Sequence, residues 1–370
     1  MKKSFGNYIY RINANPRFVL FEIWNVNKVL LLLLCIFYGN ILYAQNDEPD
    51  SPEKVNIDGL QYYLFECSHT AMVANANSWE GELVIPEQVT YEEQKYTVNK
   101  IEWLAFSFCT TLTKVRIPKT VTDIQHYAGY DACKNPFNAC TSLEAIEVDE
   151  ENPSMCSVDG VLFNKDKSRL YCYPAGARAT TYNVPDGVKW IGGSAFAHND
   201  YLCTVAIPNS VTFLGFETFG SCRNLKSIRL SESLEYIDAY TFEKCESLRV
   251  LDIPQSVSGF AEGVFRWTHI DALVVRGIFS GNLRYDTFYS VSNSMIIYAQ
   301  TSEIPKFKRV FSGTVLPLEE YDASIYTPVN NISPSLTKGG FIYDLQGRKL
   351  PGKPSHGIYI EDGKKKVTVK

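Results

Sequence analysis

His126, Cys133 and Cys140 stand close together and are of types that bind zinc, yet their spacing matches no paired-ligand signature. A disulfide from Cys133 to another thiol is the alternative use. Cys140 also belongs to a wider pattern, because Cys109, Cys140, Cys222 and Cys245 each follow a phenylalanine by three residues. Such a column could be a metal ladder or stacked disulfides. It could equally be an interior slot for a small apolar group, which a buried thiol fills well. Asn199 and Thr268 take the slot twice without disturbing the residues around it, which favours packing. The five histidines (His69, His126, His198, His269, His356) are scattered, with no H-E-x-x-H pair. No G-x-S-x-G elbow, Walker loop or dinucleotide fingerprint occurs. Asp149-Glu150-Glu151 lacks the alternating ligands of a calcium loop and reads as a solvated turn. The expectation is a chain with no catalytic residue, no metal and no cofactor.

The elements that carry these residues repeat. Val184-Pro185, Ile207-Pro208, Leu230-Ser231 and Ile253-Pro254 recur at 23 residues, as do Phe196, Phe219, Phe242 and Phe265. Ile191, Leu214, Ile237 and Phe260 keep the same interval, and so do Val188, Val211, Leu234 and Val257. An earlier unit, Ile101 to Ile124, has the same length. Alternation at Leu225, Ile228 and Leu230 marks a short strand with one buried face. The following Pro or Ser ends it, since Pro donates no ladder hydrogen bond. The remaining anchors are too few for a helix and predict a second short strand or extended turn. One unit cannot bury its anchors alone, so the units must stack into a solenoid with a continuous core.

The unit, L-x-x-V-x-I-P-x-S-V-x-x-I-x-x-x-x-F-x-x-C, resembles the BspA-like leucine-rich repeats, a 23-residue class common in surface proteins of Bacteroidetes. Asp58-Gly59-Leu60-Gln61-Tyr62 and Gly81 to Pro86 resemble that family's N-terminal segment, and Asp159 to Pro174 its hairpin insertion. The resemblance covers residues 55 to 276. It implies a mainly β solenoid of short parallel strands that binds partners at a cell surface, with adhesion to host matrix proteins or other bacteria. Phe341 to Lys370 resembles the end of a type IX secretion sorting domain, although this copy is shorter.

The organisation follows. Residues 1–44 read as a secretory signal with Val29–Tyr38 as its apolar core and cleavage after Ala44. Val26 offers an alternative start, which would leave 1–25 untranslated. Residues 45–54 form a linker, 55–98 an N-terminal β cap, and 99–276 the solenoid with insertions at 126–135 and 149–183. Residues 277–326 are capping strands where the period decays, with Phe288 outside the columns. A Pro, Ser, Asn and Gly-rich linker spans 327–340, and 341–370 is a small β tail. No run after the signal is long and apolar enough to cross a bilayer. The protein is therefore expected to be secreted or held at the outer surface.

Composition narrows the partners. The formal charge is −5, and the only dense basic cluster is Lys364-Lys365-Lys366, which gives nucleic acid no electrostatic purchase. Period transfer along the strand face sets Arg116 beside Glu147 and Arg229 beside Asp252, pairs that neutralise each other. Between them lie small or apolar residues, Thr204 and Ala206, with Ala272 and Val274 beyond. Function on a rigid scaffold concentrates in its loops, and tyrosines supply contact area at low entropic cost. The ligand-binding candidates are therefore Tyr130, Tyr171 and Tyr173 in the insertions, then Arg229 and Asp252 on the face. A protein or glycan at a host or bacterial surface is the expected partner. The alternatives are a structural spacer, read from self-association, and an enzyme with a site in the insertions near Tyr171 and Tyr173.

Overall fold

The 23-residue unit folds as one coil with two short strands, the first ended by its Pro or Ser. A computed structural model describes residues 53–74, 78–125, 135–281 and 283–325, and four tail strands between 342 and 368. The N-terminal cap comprises β1 (Glu53–Ile57), β2 (Leu60–Phe65), β3 (Thr70–Val73), β4 (Gly81–Val84), β5 (Gln88–Tyr91) and β6 (Gln94–Ile101). Its sheet runs β1-β2-β3-β6-β5. β6 is antiparallel to β5 but parallel to β3, so the cap converts hairpins into a stackable edge.

Two of its turns test local chemistry. Asp58 and Gly59 close β1–β2 at φ 51° and 88°, the type I′ geometry that an Asp-Gly pair adopts readily. Glu92 and Glu93 close β5–β6 at φ 48° and 68°, with neither Asn nor Gly. Left-handed backbone at a residue bearing a Cβ costs about 1 kcal/mol. Glu93→Gly is therefore expected to raise stability by about 0.5–1 kcal/mol, read as a higher denaturant midpoint. An unchanged midpoint would mean that the turn carries no strain.

The coils follow as β7 (Leu112–Ile117), β8 (Asp123–Ile124) and β9 (Ala145–Val148), then the insertion strands β10 (Met155–Val158), β11 (Val161–Asn164) and β12 (Arg169–Cys172). Beyond them come β13 (Thr181–Asn183), β14 (Trp190–Ile191), β15 (Thr204–Ala206), β16 (Phe213–Leu214) and β17 (Ser227–Arg229). The stack ends with β18 (Val250–Ile253), β19 (Ala272–Val275), β20 (Ile296–Ala299) and β21 (Thr314–Pro317). One face is built from the parallel sheets β4-β7-β9, β13-β15-β17 and β18-β19-β20-β21. The opposite wall is β10-β11-β12-β14-β16, which contains the second short strands that the spacing predicts.

A single aromatic column runs through the larger core. Tyr173, Phe196, Phe219, Phe242, Phe265, Phe288 and Phe311 lie 23 residues apart. Successive ring centroids are 5.0 to 6.4 Å apart, with the inner rungs stacked. Each such pair contributes about 0.5–1.5 kcal/mol beyond area burial. Phe288 is thus a rung, not an outlier, although the strand spacing loses the period after Arg276, where Ala272 pairs with Ile296 and Ile296 with Thr314, steps of 24 and 18 residues. Coils continue to β21, where the helix Ile304–Lys308 closes the end by burying Phe307.

The coils turn through left-handed residues. Ser194, Glu217, Tyr240 and Gly263 hold φ between 54° and 58° at the same 23-residue step. Only one of the four is glycine, so no glycine signature announces the bend. At the C-terminal end Leu318 and Tyr321 pack over Ala272, Val274 and Tyr298. Ala272 and Val274 are consequently buried, where a solvated strand face was expected. The tail strands β22 (Ile342–Tyr343), β23 (Lys349–Leu350), β24 (Gly357–Glu361) and β25 (Lys364–Thr368) form an antiparallel sheet in the order β23-β22-β24-β25.

Candidate functional site

Between β9 and β13 the chain leaves the stack for the β10–β11 hairpin, and the strand face is interrupted there. The hairpin turns on Asp159-Gly160, φ 50° and 79°, the favoured pair for this two-residue loop. Its tip docks on β9, where the Ile146 amide donates to the Gly160 carbonyl at 2.9 Å. A Cβ on Gly160 would lie 3.0 Å from that of Ala145, so glycine permits the approach. The returning chain is pinned by the Gly176 amide, which donates to the Leu143 carbonyl at 2.7 Å.

These contacts leave a cleft of about 660 Å³. It is lined by Glu144, Asp159, Val161, Tyr173, Tyr182 and the segment from Ala177 to Ala179. Arg178 pairs with Glu144 at 3.0 Å on the rim. Both are exposed, so the pair adds little stability. Tyr173 and Tyr182 pack at 4.7 Å between ring centroids. Burial pushes the Tyr173 phenol up to about 12. Burial raises Tyr182 further, with Tyr173 and the Asp159 carboxylate adding to it. Both phenols therefore stay protonated and can donate. Asp159 has no ion pair among the described residues.

The sequence candidates are not gathered in one place. Tyr130, with His126 and Cys133, lies outside the described residues. Tyr171 is half-buried and packs on the N-terminal core cluster. Tyr173 does reach the cleft, but it is only 3% exposed, since its ring is the first rung of the aromatic column. It is thus a wall and not the projecting tyrosine expected of an insertion. Asn135, expected at the end of the first insertion, is buried in the stack and donates from Nδ2 to the Ser194 carbonyl at 2.8 Å.

On the face, Arg116 meets Glu147 at 3.0 Å as expected, and Glu82 and Lys114 complete a four-charge network. Arg229 and Asp252 do not pair. Asp252 instead receives a two-pronged contact from Arg276 at 2.7 and 2.8 Å, while Arg229 lies opposite Ala206. The reason is that β17 and β18 belong to different sheets, so equal spacing does not place their side chains together. Glu144, Asp159, Arg178 and Tyr182 escaped the sequence reading. One signal existed: Tyr182 stands 23 residues before Val205, an interior position.

The cysteine column is a packing device that also bonds. Cys140 donates from Sγ to the Phe106 carbonyl at 2.9 Å, Cys222 to Phe196 at 3.0 Å and Cys245 to Phe219 at 3.2 Å. All described cysteines are free thiols. Burial pushes Cys222 up to about 12 and Cys245 well above the usual range. Raised folded values mean that the unfolded chain ionises first, so this stabilisation is complete below about pH 9 and is lost as pH rises above it. In native protein at neutral pH, iodoacetamide is expected to spare Cys222 and Cys245 and to label them after denaturation. Rapid native labelling of either would contradict their burial.

Among the described residues, no group of three or more His, Cys, Asp or Glu is placed to hold a metal ion, and no helix is long and apolar enough to cross a membrane. The architecture defines a leucine-rich-repeat solenoid. The BspA type leucine-rich repeat region matches in six copies over residues 87–157 and 169–295, more than half of the chain, and the chain belongs to that family. Among solved structures, the pneumococcal vaccine antigen PcpA aligns at 17% identity over 72% of this chain and 98% of its own, with a TM-score of 0.48. A leucine rich cell surface protein of Faecalibacterium prausnitzii aligns at 17% over 72% and 100%, TM-score 0.41. A leucine-rich repeat protein of Bacteroides ovatus aligns at 21% over 73% and 80%, TM-score 0.39. No curated protein matches the sequence.

Proposed function

We propose that this chain is a non-catalytic binding protein, exported to the cell surface or beyond, whose ligand engages the cleft beside the hairpin insertion. The observation that carries this reading is the interruption of the strand face. A rigid stack holds open a concavity lined by two phenols, by the Asp159 carboxylate, which has no ion pair among the described residues, and by the Glu144–Arg178 pair. Binding sites are typically such concave places with a few convergent polar groups. On the strand face the charges of Glu82, Lys114, Arg116 and Glu147 neutralise one another, and Asp252 is paired with Arg276. The apolar run within residues 1–44 supports export, and the resemblance of 341–370 to a sorting domain supports delivery to the outer surface. Loss of surface display on deleting 341–370 would bear that delivery out.

The test is an array of matrix proteins and glycans probed with the wild type and with Glu144→Ala, Arg178→Ala. Saturable binding that the rim variant weakens supports the cleft. Binding that the rim variant leaves intact but Arg229→Ala removes would move the site to the strand face. Concentration-dependent self-association without any array ligand would favour a spacer.

A further inference from the structure

β13 is an edge strand in the middle of a solenoid. Its Tyr182 backbone groups serve the ladder to β15, as the Val184 amide does by donating to the Ala206 carbonyl at 2.9 Å. In a parallel ladder the alternate residues point their N–H and C=O the other way. Those are Thr181 and Asn183, both exposed, and no described strand pairs with β13 on that side. Among the described residues nothing donates to, or accepts from, their backbone groups. That side faces the interruption, because β9 is occupied by the hairpin tip through the Ile146–Gly160 bond. An open edge of this kind is a template for another strand, and natural sheets ordinarily cover it.

The cleft adjoins the same edge. Tyr182 and Asp159 both line it, as does the exposed Glu144–Arg178 pair. Two carboxylates against one guanidinium leave a net negative charge. An aromatic face beside an unpaired carboxylate suits a Lys or Arg side chain, held by cation–π attraction and a charge-assisted hydrogen bond.

We propose that the cleft binds an extended polypeptide segment, which adds to β13 as a strand and places a basic side chain between Tyr182 and Asp159. The backbone edge selects a peptide over a sugar, since a glycan makes no use of alternating N–H and C=O. This inference rests on the cleft being the binding site. It adds the class of ligand and its register on β13: main-chain bonds supply attachment, and the pocket supplies the choice of side chain.

The experiment uses the full mature chain and three synthetic peptides of alternating Thr and Val, measured by fluorescence anisotropy. One carries a central Lys, the second Glu in its place, and the third the Lys with N-methylation on alternate amides. The Lys peptide is expected to bind, and the Glu and N-methylated forms to bind at least about ten-fold more weakly. Asp159→Asn keeps a side chain that tolerates the left-handed turn, so the hairpin persists. It is expected to remove the preference for Lys over Glu. Equal binding of the N-methylated and parent peptides would overturn strand addition. Undiminished Lys preference in Asp159→Asn would overturn the pocket assignment. Failure of every peptide to bind at about 1 mM would overturn the peptide class. In that last case, an array glycan whose binding falls in Glu144→Ala, Arg178→Ala would leave the cleft as the site with a different ligand.

Discussion

Replacing Phe242 with alanine is expected to cost about 3–5 kcal/mol, because it empties a rung in the middle of the aromatic column. The ring is fully buried and stacks on Phe219 at 5.9 Å and on Phe265 at 6.4 Å. The coils above and below are tied by backbone ladders and cannot close the gap without breaking hydrogen bonds, so the cavity persists. Phe288→Ala is expected in the lower part of the same range. Its ring is 6% exposed and still contacts Phe265 at 5.6 Å and Phe311 at 5.4 Å. Denaturant melts with two probes would check both, since a long stack can unfold in parts. A loss below about 1 kcal/mol for Phe242→Ala would show that the column is not the core.

Asn199→Ala is expected to rival that loss although it removes a polar side chain. Asn199 stands in the cysteine slot and is fully buried. Its Nδ2 donates to the Pro174 carbonyl at 3.0 Å and the Ala177 carbonyl at 3.1 Å. Its Oδ1 accepts from the amides of Tyr201 at 2.9 Å and Leu202 at 2.8 Å. Alanine would leave the Ala177 carbonyl and the Tyr201 and Leu202 amides without these partners, while the Pro174 carbonyl keeps the Ala177 amide at 3.1 Å. At about 1–3 kcal/mol for each group that water cannot reach, a net loss of about 3–5 kcal/mol follows. Asn209 offers the contrast, since it only accepts from the Glu232 amide at an exposed position, and Asn209→Ala should cost below about 1 kcal/mol. Equal melts for the two variants would contradict the account. The effect also reaches the cleft, because Ala177 lines it and Pro174 follows Tyr173, which lines it too. Asn199→Ala should therefore weaken ligand binding under conditions where the stack stays folded.

Asn152 makes the same four bonds to Pro118, Val121, Ser154 and Met155. Asn199 takes the slot of the cysteine column whereas Asn152 lies outside it, yet each satisfies two carbonyls of the preceding coil. The break in the cysteine column was visible at Asn199, and packing was the right general reading. The bonding role was not visible, because it depends on carbonyls in a neighbouring coil.

The sequence by itself determined the period, the inward columns and hence the solenoid, because burying one face of a repeated short strand leaves only stacking as a solution. It also marked the Asp159-Gly160 hairpin, whose turn chemistry is local. The tertiary structure alone decided which coils become neighbours. Side-chain partners and burial depend on it too: Asp252 takes Arg276 and not Arg229, Ala272 and Val274 are covered by Leu318 and Tyr321, and Tyr173 becomes a rung instead of a projection. The left-handed bends at Ser194, Glu217 and Tyr240 carry no glycine, so only the closed stack, which over-determines the backbone, reveals them. The cleft has the same origin. It exists because the hairpin tip satisfies β9 and leaves β13 open, a long-range competition for backbone partners that no spacing within the chain records.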